Sequence, residues 1–350
     1  MTDIKRMTKE ELREFFTDLG EKPFRADQVF SWLHVKKCTS FDEMTNLSKA
    51  LREKLQDLAE IPHLEIADLQ VSRLDGTRKY LLSLSDGNVI ESVLMRYKFG
   101  NSVCVSSQVG CRMGCRFCAS TIGGIVRNLT ASEILDEVYM IERDTGESVT
   151  HVVVMGSGEP FDNYDEVVRF IRLLNDPDGH NLSRRNVTVS TCGLPDRIRA
   201  FADEDVSSEL ALSLHAPDDE TRKKLMPIAE KYPLSEVLEA CDYYFEKTGR
   251  RITYEYACVK DVNSDVRSAE KLGRLLHGRN ALVNLIPVNN VAERNYEKPE
   301  SEALAAFQNA LAKYGINATI RREMGADIQG ACGQLRRSFL KNGRKGAMTE

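Results

Sequence analysis

The spacing of hydrophobic positions divides the chain into three stretches. Up to about residue 60, apolar residues recur at helical intervals in a polar background. Thr8-Lys-Glu-Glu11 carries a capping-box signature and opens a helix through Leu12, Phe15 and Phe16. Residues 26–33 and 48–58 predict two further amphipathic helices, so this stretch reads as a small helical bundle. Between Leu64 and Met95 the period falls to two. Tyr80-Leu-Leu-Ser-Leu84 and Val89-Ile-Glu-Ser-Val-Leu-Met95 flank Ser85-Asp-Gly-Asn88, the turn chemistry of a β-hairpin. Beyond residue 100, strands are predicted at 102–106, 151–155, 187–191, 209–214, 252–259 and 281–287. Helices fall between them, at 132–144, 165–174, 234–247 and 266–277 among others. Thr130-Ala-Ser-Glu133 caps the first, with Ile134, Val138 and Ile141 along one face. Six βα units imply an α/β protein with a parallel sheet, either doubly wound or curled into a partial barrel.

Composition narrows the reading. The 350 residues carry a net charge of −5, which argues against attachment to nucleic acid by bulk charge and leaves a local basic face open. The basic pairs Arg184-Arg185 and Arg321-Arg322, with the Arg- and Lys-containing tail after Arg336, could face phosphates, although such pairs ordinarily lie solvated on a surface. No apolar run approaches the roughly 18–20 residues of a membrane helix, so no membrane association is expected. The charged start lacks an apolar signal core, and the expected location is the cytoplasm. There are nine cysteines. In a reducing compartment, clustered cysteines read as metal ligands or catalytic thiols rather than as disulfides.

The cluster is Cys111-Arg-Met-Gly-Cys115-Arg-Phe-Cys118, just after the first strand of the βα series. A closed zinc site takes four protein ligands, and this loop offers three. Three thiolates suit a 4Fe–4S cluster whose fourth iron stays open to an outside ligand. A zinc knuckle completed by the distant His215 or Cys104 is the alternative. Cys192, Cys241 and Cys258 read as small buried hydrophobes, and Cys38 has no assigned role.

CxxxCxxC after the first strand of a partial βα barrel, with Phe117 before its last cysteine, resembles the radical S-adenosylmethionine (SAM) superfamily. The likeness extends through Cys104-Val-Ser-Ser-Gln-Val-Gly-Cys111, Arg127-Asn-Leu-Thr130, Gly156-Ser-Gly-Glu-Pro160, Ser190-Thr191, Ser213-Leu-His-Ala216, Leu285-Ile-Pro-Val-Asn289 and Ala331-Cys-Gly-Gln-Leu335. Over nearly its whole length the chain resembles the bacterial dual-specificity ribosomal and transfer RNA adenine-C2 methyltransferases.

The resemblance implies a partial (β/α)6 barrel of radical SAM type. Residues 1–60 would form a helical accessory domain with a possible RNA contact, 61–96 a β-hairpin extension, 97–330 the radical SAM core, and 331–350 a loop bearing Cys332 followed by a basic tail. It implies Cys111, Cys115 and Cys118 as cluster ligands, and Gly158, Glu159, Ser190, Ser213, Leu214, His215 and Asn289 as SAM contacts. Cys332 would carry an S-methyl group taken from one SAM; a second SAM would supply the radical that activates it towards C2. Cys104 would resolve the resulting RNA adduct through a transient disulfide with Cys332, and Glu91 would accept the proton. The implied partners are 23S ribosomal RNA, transfer RNA, a flavodoxin- or ferredoxin-like electron donor and a thiol reductant, with the enzyme a monomer. Two other readings stay open at this point: a relative that methylates adenine C8 in ribosomal RNA, and a non-catalytic zinc or RNA-binding protein.

Overall fold

The computed structural model describes residues 1–289, 291, 293–330, 333 and 334. The N-terminal stretch is β1 (Thr2–Asp3), α1 (Lys9–Asp18), α2 (Phe24–His34), α3 (Lys49–Leu58) and β2 (Ala59–Glu60). The capping box at Thr8 forms as its sequence predicts, with the Thr8 side chain accepting from Glu11 N and Glu11 reaching back to Thr8 N. Leu12, Phe16, Val29, Phe30, Leu33, Leu51 and Leu55 join the main core, so the bundle packs onto the rest of the molecule through its apolar stripes.

One buried ion pair locks this stretch down. Lys5 and Asp136 are both fully buried and bonded to each other; Lys5 Nζ also donates to Pro62 O at 2.9 Å. Asp136 accepts from Leu64 N at 2.7 Å and pairs with Arg143 at 3.1 Å. Removing one partner strands a desolvated charge. Lys5→Met is therefore expected to cost about 3 kcal/mol or more, read as a fall in the urea midpoint; a change within about 0.5 kcal/mol, the ordinary range for surface substitutions, would contradict it.

The remaining strands are β3 (Glu65–Val71), β4 (Arg78–Ser83), β5 (Val89–Tyr97), β6 (Gly100–Val105), β7 (Gln108–Gly110), β8 (Ile125–Asn128), β9 (His151–Val154), β10 (Val187–Thr191), β11 (Glu209–Ser213), β12 (Ile252–Cys258), β13 (Ala281–Pro287) and β14 (Asn317–Ile320). Ten of them make one sheet in the order β14-β13-β12-β11-β10-β9-β6-β5-β4-β3. From β6 to β14 all neighbours are parallel, and β3 to β6 are antiparallel. The six predicted βα strands all form, and β14 adds a seventh at the edge. The predicted hairpin also forms and runs directly into the barrel sheet through β5 and β6. The helices are α4 (Ala131–Thr145), α5 (Tyr164–Asn175), α6 (Pro195–Asp203), α7 (Asp219–Leu225), α8 (Leu234–Thr248), α9 (Val266–Leu276) and α10 (Ser301–Ala312).

Buried and half-buried residues alternate along β9 and β10, so one face of each packs into the core while the other is more open. Since β3 and β14 are the two ends of the sheet, the barrel is partial. Parallel strands deliver their carboxyl ends to one rim, and there the connecting loops collect. Among the described residues, no helix is long and apolar enough to cross a membrane.

Candidate active site

The three-cysteine loop leaves the rim after β6. Its base is tied by the antiparallel pair β7–β8, where Gln108 faces Asn128 and Val109 faces Arg127. Gly110 is required there: its φ is +77°, and a Cβ would fall 2.1 Å from Gly124 O. Further along, Arg112 pairs with Asp162, Arg116 N donates to Leu225 O at 2.9 Å, and Ala119 N donates to Gly333 O at 2.8 Å. Held this way, Cys111, Cys115 and Cys118 line one cleft of about 980 Å3 with Gly158, Glu159, Ser190, Ser213, His215 and Asn289. These residues come from the ends of β9, β10, β11 and β13.

Burial pushes the Cys111 thiol up to about 12, raises Cys115 well above the usual thiol range, and raises Cys118, with Ser120 hydrogen bonds opposing the last. Without a bound cation the thiols are therefore held protonated, and a metal centre would be what makes them thiolates. Among the described residues, no three His, Cys, Asp or Glu side chains converge on a single ion position. A cluster in which each thiolate takes its own iron asks for no such convergence.

Glycines let the loops after β6 and β9 touch. A Cβ on Gly156 would lie 2.7 Å from Ser106 Oγ and Val105 O; one on Gly158, where φ is +111°, would lie 2.6 Å from Ser107 Oγ. Gly158→Ala is expected to displace this wall, at a backbone cost of about 1–3 kcal/mol. That would weaken SAM binding by about tenfold or more in equilibrium dialysis. Unchanged affinity would contradict the assignment.

Glu159 is buried, and its carboxylate accepts from Cys192 N at 2.8 Å and Phe161 N at 3.1 Å. Burial raises its pKa, and those backbone donors pull it back. His215 sits at φ +55°, a left-handed conformation that strains an ordinary side chain. Asn263 holds it there by donating to His215 O at 2.7 Å. Its Nδ1 accepts from Ala257 N at 2.9 Å, so Nε2 carries the proton. Burial, with Arg222 nearby, lowers its pKa to about 3, and the ring stays neutral against the edge of Phe117 at 4.9 Å.

The other predicted residues lie elsewhere. Leu214 has its side chain in the core and does not line the cleft; its backbone N–H donates to Glu255 O at 3.0 Å. Cys104 is buried on β6 and lines an adjoining cleft of about 590 Å3 with Val93, Met95, Met155, Arg321 and Gly330. Asn289 belongs to both clefts. Glu91 is buried on β5 beside Lys79 at 3.9 Å, outside the lining of either cleft. Cys332 lies outside the described residues, as does the basic tail from 335; Gly333 lines the larger cleft and Gly330 the smaller.

Several residues escaped the sequence reading. Cys192 is buried as expected of a small hydrophobe, yet it lines the large cleft beside the cysteine loop. Arg321 is no solvated surface residue, because it lines both clefts. Glu255 also faces the large cleft; its Oε1 accepts from Asn284 at 3.0 Å, and Oε2 has no protein partner. A carboxylate in the middle of an apolar central strand was the available signal. Three thiols, a glycine-cleared wall and an unsatisfied buried acceptor together suit an iron–sulfur cluster with a polar cosubstrate.

That fold and site define a radical SAM enzyme. Residues 105–271 match the Radical SAM superfamily. The solved structure of a radical SAM methyltransferase from Sphaerobacter thermophilus superposes with a TM-score of 0.92 at 40% identity, covering 96% of this chain and all (100%) of that one. Residues 2–61 match the family described as the ribosomal RNA large subunit methyltransferase N-terminal domain. The chain is 57% identical to the "probable dual-specificity RNA methyltransferase RlmN" of Lachnoclostridium phytofermentans, across 96% of this chain and 95% of the relative. It is 56% identical to the protein of the same description from Lachnospira eligens, across 98% of each. The chain belongs to the RlmN family. It is an enzyme, and its cofactors are a 4Fe–4S cluster and SAM.

Proposed function

We propose that the enzyme methylates C2 of a specific adenosine in 23S ribosomal RNA and of an anticodon-loop adenosine in transfer RNA. The observation that carries this reading is the pair of adjoining clefts, one lined by the three-cysteine loop and the other by Cys104, which share Met155, Ile286, Asn289 and Arg321. Chemistry begun at the first can reach a thiol at the second.

Adenine C2 is electrophilic, so a polar methyl cation is matched to the wrong kind of atom. The bound cluster and SAM supply a carbon radical instead. Cys111, Cys115 and Cys118 would hold the cluster. Gly158, Glu159, Ser190, Ser213, His215 and Asn289 would orient SAM, the Leu214 backbone fixing the turn that carries His215. Cys332 would take a methyl group as a thioether, so that one SAM is spent loading the thiol and a second starting the radical step. A hydrogen atom passing from that methyl to the SAM-derived radical would leave a carbon radical on Cys332 that adds to C2. The adduct would then return one electron to the oxidised iron–sulfur centre and pass its C2 proton to Glu91. Cys104 thiolate would attack the Cys332 sulfur, forming a disulfide and breaking the sulfur–methylene bond, and the departing carbon would take up a proton to give methylated RNA. A thiol reductant must reopen that disulfide, and a flavodoxin- or ferredoxin-like carrier would deliver the electron. The adenine must leave its stack to be reached. We assign the enzyme to the cytoplasm as a monomer, with residues 1–60 as accessory domain, 61–96 as sheet extension, 97–330 as core and 331–350 as the Cys332 loop and tail.

Cys332→Ala tests the carrier role. It is expected to keep about four irons per chain and to yield no methylated RNA. Normal turnover by that variant would overturn the methyl-cysteine assignment.

A further inference from the structure

Arg222, on the short helix α7, is fully buried with no ion-pair partner among the described residues. Its Nη2 donates to Cys192 O at 2.6 Å and Ser213 O at 3.4 Å, and its Nε to Leu214 O at 3.2 Å. Those carbonyls stand at the ends of β10 and β11, so the guanidinium spans two strand ends beneath the active cleft. Nη1 is buried and has no hydrogen-bond partner. Carbonyl dipoles offset part of the desolvation of a cation, but they supply no opposite charge. Asp219 on the same helix supplies a negative charge without contacting the guanidinium, and a buried cation with no anion in contact is costly to a fold.

The surroundings indicate where the missing anion belongs. Cys192, Leu225 and Met226 form one cluster against Met113, Cys115 and Phe117, which places the end of α7 against the cysteine loop. Arg116 N bonds to Leu225 O, the last residue of the same helix. An iron–sulfur cluster held by three thiolates is net negative, and reduction makes it more so.

We propose that Arg222 is the buried counter-charge of the iron–sulfur cluster and sets its reduction potential. Reduction adds one electron to the cluster and leaves Arg222 protonated throughout, so the fixed positive charge favours the reduced state. Net charge and hydrogen bonding around a cluster are the means by which a protein moves its potential. On this account the arginine is a positioning and tuning residue that touches neither SAM nor RNA. The inference rests on the cysteine loop holding the cluster.

The test is a redox titration of the reconstituted full-length protein without SAM, followed by the EPR signal of the reduced cluster. Arg222→Gln removes the charge and Arg222→Lys keeps it. The Gln variant is expected to show at least a tenfold lower ratio of reduced to oxidised cluster at the wild-type midpoint, a downward shift of about 59 mV for one electron. The Lys variant should stay within about threefold of wild type. A purely structural staple would weaken both variants and leave the potential unmoved. Gln and Lys variants that both titrate with wild type would overturn the proposal. So would a difference that emerges only once SAM is added, because the SAM carboxylate would then be the partner. If the Gln variant does not load, Arg222→Met is compared with it. Loading by Lys alone, with all three proteins equally helical, supports a charge effect; failure of all three alike overturns it. Wild-type protein that takes up no cluster would instead sink the reading of the cysteine loop itself.

Discussion

Cys104→Ala protein expressed in cells is expected to carry RNA attached through Cys332. The substitution removes a buried thiol from β6 and lies outside the CxxxCxxC loop, so the cluster should assemble at about four irons per chain and SAM should still be cleaved. What is lost is release. No other described cysteine lines the cleft that holds Cys104; the nearest sequence neighbours, Cys111, Cys115 and Cys118, face the larger one. Thiol attack on a sulfur needs a positioned thiolate, and without it the adduct has no low-barrier exit. A denaturing gel should show a mobility shift that ribonuclease abolishes. A variant that turns over freely makes Cys104 a bystander, and one that loses its iron makes it a ligand.

Cys115→Ala should have a comparably large effect at an earlier stage. Cys115 is half-buried and packs with Met113 and Phe117 against Cys192, Leu225 and Met226. Alanine fills most of that apolar volume, so the loop should still fold. Two thiols remain for a centre that needs three, and bound iron should fall from about four per chain towards none. No 5′-deoxyadenosine and no methylated RNA should form, while the far-UV spectrum stays native. A brown Cys115→Ala protein with full iron would show that the ligand set includes another group, with Cys192 the first candidate because it lines the same cleft.

Much of this was legible in the sequence because the signals were local. Residues 187–191 alternate valine with threonine and serine, residues 281–287 are apolar but for Asn284, and the observed β10 and β13 occupy those spans. The capping boxes at Thr8 and Thr130 mark helix starts because a side-chain oxygen and a backbone donor lie three residues apart. Other elements gave weaker signals. The four residues of β14 are largely exposed at a sheet edge, and α10 begins at Ser301 with Glu300 before it giving no side-chain cap. The cysteine loop was legible because its ligands are consecutive in the chain. Cys192 and Arg222 were not, since one is a lone cysteine at the end of β10 and the other an arginine in a polar helix. Only the curling of the sheet brings them beneath the same loop. Arg321, one of a basic pair, looked solvated for the same reason.

The central claim is that a methyl group reaches C2 of adenosine. Its most direct test is mass spectrometry of nucleosides from 23S ribosomal RNA and transfer RNA incubated with the reconstituted enzyme, SAM and a reducing system. Unmodified RNA is required, and deuterated methyl-SAM would label the transferred carbon. The account predicts 2-methyladenosine as the product in both RNAs, absent when Cys332 is alanine. Finding 8-methyladenosine as the main product, or no methylated adenosine from protein holding its full cluster, would contradict it.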